Sequence, residues 1–218
     1  MFAVVCDGMG GLSEGKTASL TVVEKIKELY FSKENDIDYP DFFLNSVDIL
    51  DESVFNLRNE FGDKIKTGTT IVAIAIEKDC LFWFSVGDSR LYIIRGNEIV
   101  RATRDHNYFL SLNQSLKSGT ITQKQYDDEA SKGDTLISFI GMGGIDLMDI
   151  NKEPLKLSSG DIMLLTSDGL YKILKDDEIL NSVKNENVEG ALETLMKNLI
   201  TKNKTSQDNT TCILIKYL

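Results

Sequence analysis

The spacing of apolar residues changes from a helical to a strand period near residue 69, and that change constrains the fold more than any other feature. In residues 16–31 and 40–61, apolar side chains recur every three or four positions, the period of a helix with one buried face. From residue 69 to residue 100, short runs rich in Val, Ile, Phe, Trp and Tyr alternate with turn residues, which is typical of strands. The sequence therefore predicts two core helices followed by antiparallel strands.

Shorter elements of both kinds complete the predicted domain. Residues 2–6 form a strand that ends at a glycine-rich turn, and residues 104–134 are a polar excursion from the core with a helical pattern near 123–130. Because strands and helices do not alternate regularly, we expect an α+β layered domain and not a doubly wound parallel sheet. The remaining predictions are an antiparallel meander of strands 69–77, 80–86 and 90–95, a hairpin turn at Gly96-Asn97, strands at 135–140, 162–166 and 210–217, and helices at 170–174, 178–183 and 188–200.

Composition excludes several classes of protein. With 24 basic and 34 acidic residues the net charge is −10, which disfavours nucleic acid as a partner. The longest apolar runs are far shorter than the ~20 residues of a membrane span. Cys6, Cys80 and Cys212 have no paired spacing, so we interpret them as buried free thiols of a cytoplasmic protein without a signal peptide. The only histidine is His106, so any metal must be held by oxygen.

Four aspartates stand at the ends of apolar strand segments, each beside a small or turn-forming residue. Taken singly, each of these sites is typical of a turn. Several carboxylates that converge at one sheet rim would repel one another unless divalent cations neutralised them, and hard oxygen ligands favour Mg²⁺ or Mn²⁺. The pattern alone leaves the turn and the metal interpretation open. The four residues are Asp7, Asp88, Asp168 and Asp208.

Six short segments resemble, in order, the successive sequence blocks of the PPM family of metal-dependent protein serine/threonine phosphatases (protein phosphatase type 2C). The first, Val4-Val5-Cys6-Asp7-Gly8-Met9-Gly10-Gly11, is similar to the opening metal motif, and its methionine resembles the bacterial branch. Together the blocks span nearly the whole chain. The others are Thr67-Gly68-Thr69-Thr70, Val86-Gly87-Asp88-Ser89-Arg90, Thr103-Arg104-Asp105-His106, Leu165-Thr166-Ser167-Asp168-Gly169 and Gln207-Asp208-Asn209-Thr210-Thr211.

The resemblance implies a single catalytic domain over residues 1–218, built as a four-layer α-β-β-α sandwich with two central antiparallel sheets and a flap at about 106–134. It also implies two Mg²⁺ or Mn²⁺ ions and a third, weaker site. Asp7 would bridge two metals, the Gly8 carbonyl would ligate one of them, and Asp168 and Asp208 would complete the other. Asp88, with Asp168, would serve the third site.

The implied activity is hydrolysis of phosphoserine and phosphothreonine in proteins by a metal-activated water, with Asp7, Asp168 and Asp208 as catalytic residues and a serine/threonine kinase as functional counterpart. The family's amino-terminal strands, which carry an arginine and a further acidic motif, have no equivalent before Asp7. One alternative is therefore a pseudophosphatase or regulatory phosphoprotein-binding module, and another is a phosphatase acting on anti-sigma-factor antagonists.

Three smaller features have competing interpretations. A phosphate cradle at residues 8–11 is disfavoured, because the loop lacks the Gly-Lys-Ser/Thr ending of a P-loop. His106 could act as a general acid, but one histidine beside Asp105 is more typical of a loop or packing residue. The word Gly-Met-Gly-Gly occurs at 8–11 and at 141–144 in different surroundings, which we interpret as coincidence.

Overall fold

The computed structural model describes residues 1–10, 12–34, 37–184, 187–202 and 208–218. Gly11 and Gln207, which belong to two of the sequence blocks, lie outside these ranges. The helices are α1 (Leu12–Ser32), α2 (Tyr39–Phe55), α3 (Tyr108–Lys117), α4 (Gln123–Glu129), α5 (Asp168–Tyr171), α6 (Asp176–Val183) and α7 (Val188–Lys202). The strands are β1 (Phe2–Val5), β2 (Gly8–Met9), β3 (Gly68–Thr69), β4 (Ile71–Glu77), β5 (Cys80–Val86), β6 (Arg90–Arg95), β7 (Glu98–Arg101), β8 (Asp149–Ile150), β9 (Leu155–Lys156), β10 (Ile162–Thr166) and β11 (Cys212–Lys216).

The strands form two larger antiparallel sheets and one short ribbon. The first sheet has the order β1-β4-β5-β8, with β9 also paired to β5, and the second has the order β11-β10-β6-β7. The ribbon pairs β2 with β3, so that Gly8 lies opposite Thr69. The mixed α/β class predicted from the sequence is confirmed, and the hairpin turn at Gly96-Asn97 joins β6 to β7 as predicted.

The predicted meander is wrong at its third strand. Strand β5 pairs with β4 in the first sheet, whereas β6 pairs with β10 and β7 in the second. The chain changes sheets at Gly87, whose φ of +102° is a left-handed conformation that favours glycine. A Cβ atom there would lie 2.6 Å from the Thr70 side chain, so only a residue without a side chain fits at this crossing.

Alternation along the strands divides the core into three apolar clusters. On β4, Ile71 and Ala73 face one cluster with α1 and α2, while Val72 and Ile74 face another that includes residues of the second sheet. The same period applies to β10, where Leu164 packs with α5, α6 and α7, and neighbouring residues face the first sheet. Helices α1 and α2 therefore pack against the first sheet, and α5, α6 and α7 pack against the second.

Two predicted elements differ from the structure because local hydrogen bonds replace them. Helix α2 ends at Phe55 and not near residue 61, since the Asn59 side chain accepts hydrogen bonds from the backbone N–H groups of Phe61 and Asp63 at 3.0 and 2.8 Å. Phe61 is 80% exposed. The strand predicted at 135–140 is reduced to two isolated pairings, of which one joins Ile140 to Thr69.

Other details of the prediction also need correction. The polar excursion contains α3, which the sequence interpretation missed, in addition to α4, which it anticipated. The three cysteines are free but only half-buried, and each lies at or next to the end of a strand. None of the described helices combines the length and apolar character that a membrane crossing requires.

Candidate metal centre

The four aspartates singled out in the sequence lie around one cavity of about 930 Å³ at the rim where both sheets end. Asp7 follows β1, and Asp88 lies between β5 of the first sheet and β6 of the second. Asp168 begins α5, and Asp208 precedes β11. The structure therefore brings together residues that are up to two hundred positions apart in the chain. The cavity is lined by Asp7, Asp88, Asp168 and Asp208, together with Asp134, Lys16 and Lys172.

Asp7 is held through its backbone. Its N–H donates to Thr70 Oγ1 at 3.1 Å, and its carbonyl accepts from Thr70 N at 2.9 Å and from Thr69 Oγ1 at 2.9 Å. Thr70 Oγ1 in turn lies 2.7 Å from Ser89 Oγ, directly after Asp88. The two threonines thus tie the first aspartate to the turn that carries the second.

Gly8 is placed by a close approach between the ribbon and α1. A Cβ atom on Gly8 would lie 1.9 Å from the Gly15 carbonyl oxygen, and one on Gly15 would lie 2.7 Å from the Gly8 carbonyl oxygen. Two glycines are therefore needed for α1 to pack directly on the Asp7-Gly8 turn.

Asp88 lies on a scaffold of aromatic and charged groups. The Tyr171 hydroxyl donates to the Asp88 carbonyl at 2.9 Å, and the Arg90 guanidinium stacks 3.3 Å from the centroid of the Tyr171 ring. Arg90 also binds both carboxylate oxygens of Asp105, at 2.9 and 2.7 Å. The Arg90–Asp105 ion pair is bidentate and largely buried. Together with the two Tyr171 contacts, it holds the Asp88 turn against the start of the second sheet.

Asp168 and Asp208 are brought together by the backbone beside them. Ser167 N–H donates to the Thr211 carbonyl, and Thr211 N–H donates to Ser167 Oγ, both at 3.0 Å. A Cβ atom on Gly169 would lie 2.4 Å from the Asn209 carbonyl oxygen, so glycine permits this contact. The start of α5 at Asp168-Gly169 thus packs directly on the segment that follows Asp208.

Crowding of the carboxylates changes their proton affinity. Burial, followed by the charges of Asp168, Asp208 and Asp88, raises the pKa of Asp7 from 3.8 to about 7. Burial and the charge of Asp168 raise the pKa of Asp88 to about 6, although Lys172 opposes the shift. An electrostatic site of this kind attracts cations.

The donor set fits a hard divalent cation. Asp168 Oδ1 is a buried carboxylate oxygen that receives no hydrogen bond from the described part of the chain, while its Oδ2 lies 2.5 Å from Lys172 Nζ. Within the described ranges, no three His, Cys, Asp or Glu side chains are already spaced to hold an ion. The carboxylate oxygens that line the cavity are the hard ligands that such a cation prefers. Without a bound cation, Lys172 is the positive charge beside Asp168.

The structure supports the packing interpretation of His106. The side chain is fully buried and does not line the cavity. Its Nδ1 accepts a hydrogen bond from Gly87 N–H at 3.1 Å, and its Nε2 faces Asp149 Oδ1 at 3.5 Å. His106 therefore supports the sheet-crossing turn next to Asp88.

Sequence reasoning missed two charged residues at the cavity. Lys172 lies one helical turn after Asp168, a spacing of four residues that brings side chains together and could have revealed the pair. Asp134 lies at the irregular end of the polar excursion. No helical or strand period there predicts which side chains face the cavity. Lys16, considered in the sequence only as the nearest basic residue, also lines the cavity.

Comparisons with known proteins agree with this geometry. The chain is 27% identical over 215 residues to protein phosphatase PhpP of Streptococcus pneumoniae, covering 97% of this chain and 84% of that protein. Its structure is similar to that of serine/threonine phosphatase Stp1 from Staphylococcus aureus, with a TM-score of 0.79 and 28% identity over 100% of this chain and 84% of that one. The serine/threonine phosphatase PstP/Ppp of Mycobacterium tuberculosis shares the fold, with a TM-score of 0.79 and 23% identity over 99% of this chain and 88% of that one.

A family model points to the same conclusion from the amino-terminal half. The model described as protein phosphatase 2C matches residues 1–111, which include the first two aspartates of the cavity and the threonines that connect them. The chain belongs to the protein phosphatase 2C family.

Proposed function

We propose that this chain is a Mg²⁺- or Mn²⁺-dependent protein phosphatase that hydrolyses phosphoserine and phosphothreonine in proteins. The observation that carries the proposal is the convergence of four aspartates on one cavity, with two of their pKa values raised toward neutrality. Carboxylates that destabilise one another in this way bind divalent cations favourably, because the ions neutralise the shared negative charge.

The carboxylates divide into roles by position. Asp7, the Gly8 carbonyl, Asp168 and Asp208 would together hold two ions. Asp88, with Asp168, would hold a third ion. Support comes from Asp168 Oδ1, which has no hydrogen-bond partner among the residues that the structure describes, and from the close packing of Gly8 on α1, which keeps the turn after Asp7 in place.

When bound, the ions supply an acidified water as nucleophile and neutralise charge on the phosphate. The chain's own groups bind and orient the substrate. Lys172 and Lys16 line the cavity and offer cationic nitrogens to a phosphate dianion, which the acidic walls would otherwise repel. Ser89 and Ser167 are engaged in hydrogen bonds that connect the aspartate-bearing turns, so their hydroxyl groups serve as structural ties.

Residues 1–218 form one catalytic domain in this proposal, and the arrangement of two facing sheets with helices outside is a four-layer α-β-β-α sandwich. Residues 106–134 act as a flap, supported by the position of Asp134 at the cavity. We also propose a cytoplasmic location and a serine/threonine kinase as counterpart, because the described cysteines are free and the family acts on phosphoproteins. The regulatory-module alternative is not favoured, since the site carboxylates are present.

The test is phosphate release from a phosphothreonine peptide with Mn²⁺, with and without EDTA. We expect turnover that EDTA abolishes and that Asp168→Asn strongly reduces. Asp177→Asn is the matched control, because Asp177 is an exposed residue of α6 away from the cavity. A folded protein that binds Mn²⁺ but releases no phosphate would contradict the proposal and support the pseudophosphatase alternative.

A further inference from the structure

A second cavity of about 360 Å³ lies beside the metal cavity. The two share Met9, Gly10 and Phe139 as lining residues, so they are neighbours along one surface. The walls of the second cavity are mainly apolar and include the ring of Phe55 at the end of α2. We call it the side pocket; its main lining side chains are Met9, Phe55, Lys64, Lys66, Phe139 and Met142.

Residues from both copies of the Gly-Met-Gly-Gly motif line the side pocket. Residues 9–10 of the first copy and residues 141–142 of the second copy line it from two directions. The thioether side chains of Met9 and Met142 are polarisable and flexible, and such surfaces accept apolar groups of varied shape. One methionine from each copy of the repeat therefore lines the side pocket.

The walls are held in place by buried interactions. The carboxylate of Asp51, which is 4% exposed, accepts hydrogen bonds from Gly141, Gly143 and Gly144 N–H at 2.6, 3.0 and 2.7 Å. A Cβ atom on Gly143 would lie 2.4 Å from the Phe55 ring, so that ring packs flat on the loop. The side pocket is thus largely formed before any ligand binds.

The opposite walls are anchored in the same way. Thr67 Oγ1 donates to the Met9 carbonyl at 2.8 Å and joins the ribbon to the segment that carries the two lysines. The Phe139 ring packs on Gly68, where a Cβ atom would lie 2.4 Å from it.

The rim of the side pocket is basic, although the protein as a whole carries a net charge of −10. Lys64 Nζ lies 3.0 Å from the centroid of the Phe55 ring. Lys66 is exposed, and within the described ranges neither lysine forms an ion pair. A ligand with an acidic group next to an apolar one therefore matches the pocket, because the acidic group complements the lysines at the rim and the apolar group complements the interior.

Building on the proposed function, we propose that the side pocket docks the substrate protein itself, taking an apolar side chain close in sequence to the phosphorylated residue and a neighbouring Asp or Glu on Lys64 and Lys66. An extended peptide advances ~3.3 Å per residue, so a segment of a few residues reaches from one cavity to the next. Continuity with the metal cavity and charge complementarity identify the occupant as the substrate chain. The pocket would add selectivity to a metal site that recognises only the phosphate.

The test compares peptides that share a non-hydrolysable phosphonate in place of the phosphothreonine. One set places a Leu-Glu pair at successive positions on either side of this residue, and the matched set has Ala-Lys at the same positions. We expect the best Leu-Glu peptide to bind at least about tenfold more tightly than its match, as measured by fluorescence anisotropy with Mn²⁺ present. Lys64→Glu combined with Lys66→Glu should reduce this ratio to near one.

Two further variants distinguish the parts of the pocket. With two more peptides that carry Leu-Lys or Ala-Glu at the same positions, Met142→Ala should reduce the preference for Leu over Ala and leave the preference for Glu over Lys, since only the apolar wall changes. Lys27→Glu combined with Lys197→Glu makes the same change in net charge at exposed helix positions that line neither cavity, and should keep the ratio of the unmodified protein. Circular dichroism checks that each variant is folded.

The outcomes separate docking from catalysis. Equal binding of both peptide sets, or a ratio that the lysine changes do not alter, overturns the docking proposal. Phosphate release from the hydrolysable peptides without any preference for Leu-Glu also overturns it and leaves the proposed function intact. A lysine-dependent binding preference without phosphate release supports docking and refutes the proposed function.

Discussion

The metal cavity and the side pocket share three lining residues but have opposite chemistry. The metal cavity collects its aspartates from the ends of strands in both sheets, and their mutual repulsion raises pKa values. The side pocket is formed by the β2-β3 ribbon, the end of α2 and two loops, and its charges are lysines at the rim of an apolar interior. The contrast indicates a division of labour, in which the rigid sheets hold the reactive groups and the loops beside them select the substrate.

The largest effect should come from removing one carboxylate of the metal cavity. Asp168→Asn keeps the shape of the side chain but removes a negative charge that we assign to two metal sites. We expect kcat/KM with a phosphothreonine peptide to fall on the order of a thousandfold, with weaker Mn²⁺ binding by calorimetry. Unchanged turnover and affinity would show that Asp168 is not a ligand.

The next largest effect concerns the side pocket. Asp51→Ala leaves three partly buried backbone N–H groups without their charged acceptor, so we expect the free energy of unfolding in urea to decrease by about 3 kcal/mol. Asp51→Asn retains one acceptor oxygen and should cost less. If catalysis towards a small aryl phosphate falls as steeply in these variants as towards peptides, the two cavities are not separable.

A smaller effect is the pH dependence of the metal-free protein. The folded pKa of Asp7 is about 7 against an ordinary 3.8, so the folded state retains a proton that the unfolded chain releases between about pH 4 and pH 7. Stability in EDTA should therefore be highest near pH 4 and decrease as the pH rises to 7. Because Asp7 is partly exposed, solvent screening limits the change to about 2 kcal/mol.

Chemical denaturation in EDTA across this range measures the effect, and Asp7→Asn should reduce the slope of the curve to the part contributed by Asp88, whose pKa is raised to about 6. Asp161 provides the contrast, because the Arg95 guanidinium lowers its pKa. Its contribution is present above pH 4 and is lost only as the pH falls further, so it leaves the window of Asp7 unaffected. A curve that rises from pH 4 to pH 7 would contradict the assigned crowding.

The smallest effect should come from the lysine inside the metal cavity. Lys172 Nζ lies 2.5 Å from Asp168 Oδ2, and its side chain is 45% exposed, so the ion pair contributes about 1 kcal/mol at most. Lys172→Met frees the carboxylate, and we expect Mn²⁺ to bind about threefold more tightly in calorimetry. Weaker Mn²⁺ binding would show that Lys172 supports the metal site instead of competing with it.

Much of the secondary structure was predictable because it depends on local patterns. Strand β10 has the bounds predicted from its apolar run, and the Gly96-Asn97 turn lies where its dipeptide placed it. The end of α2 was missed, since the Asn59 side chain overrides an apolar period that continues to Phe61. The change of sheet at Gly87 was also missed, because an alternating pattern assigns faces to a strand but not its partner.

The sequence by itself determined the residue types that make a metal site: aspartates at strand ends, beside residues that permit tight turns, in an order that resembles one family. Only the tertiary structure decided which groups share a cavity. It placed Lys172 against Asp168 and Asp134 at the same cavity, and it brought Met9 and Met142 to one pocket. The physical reason is that turn chemistry and hydrophobic period act over a few residues, whereas proximity between distant segments results from packing both sheets and their helices together.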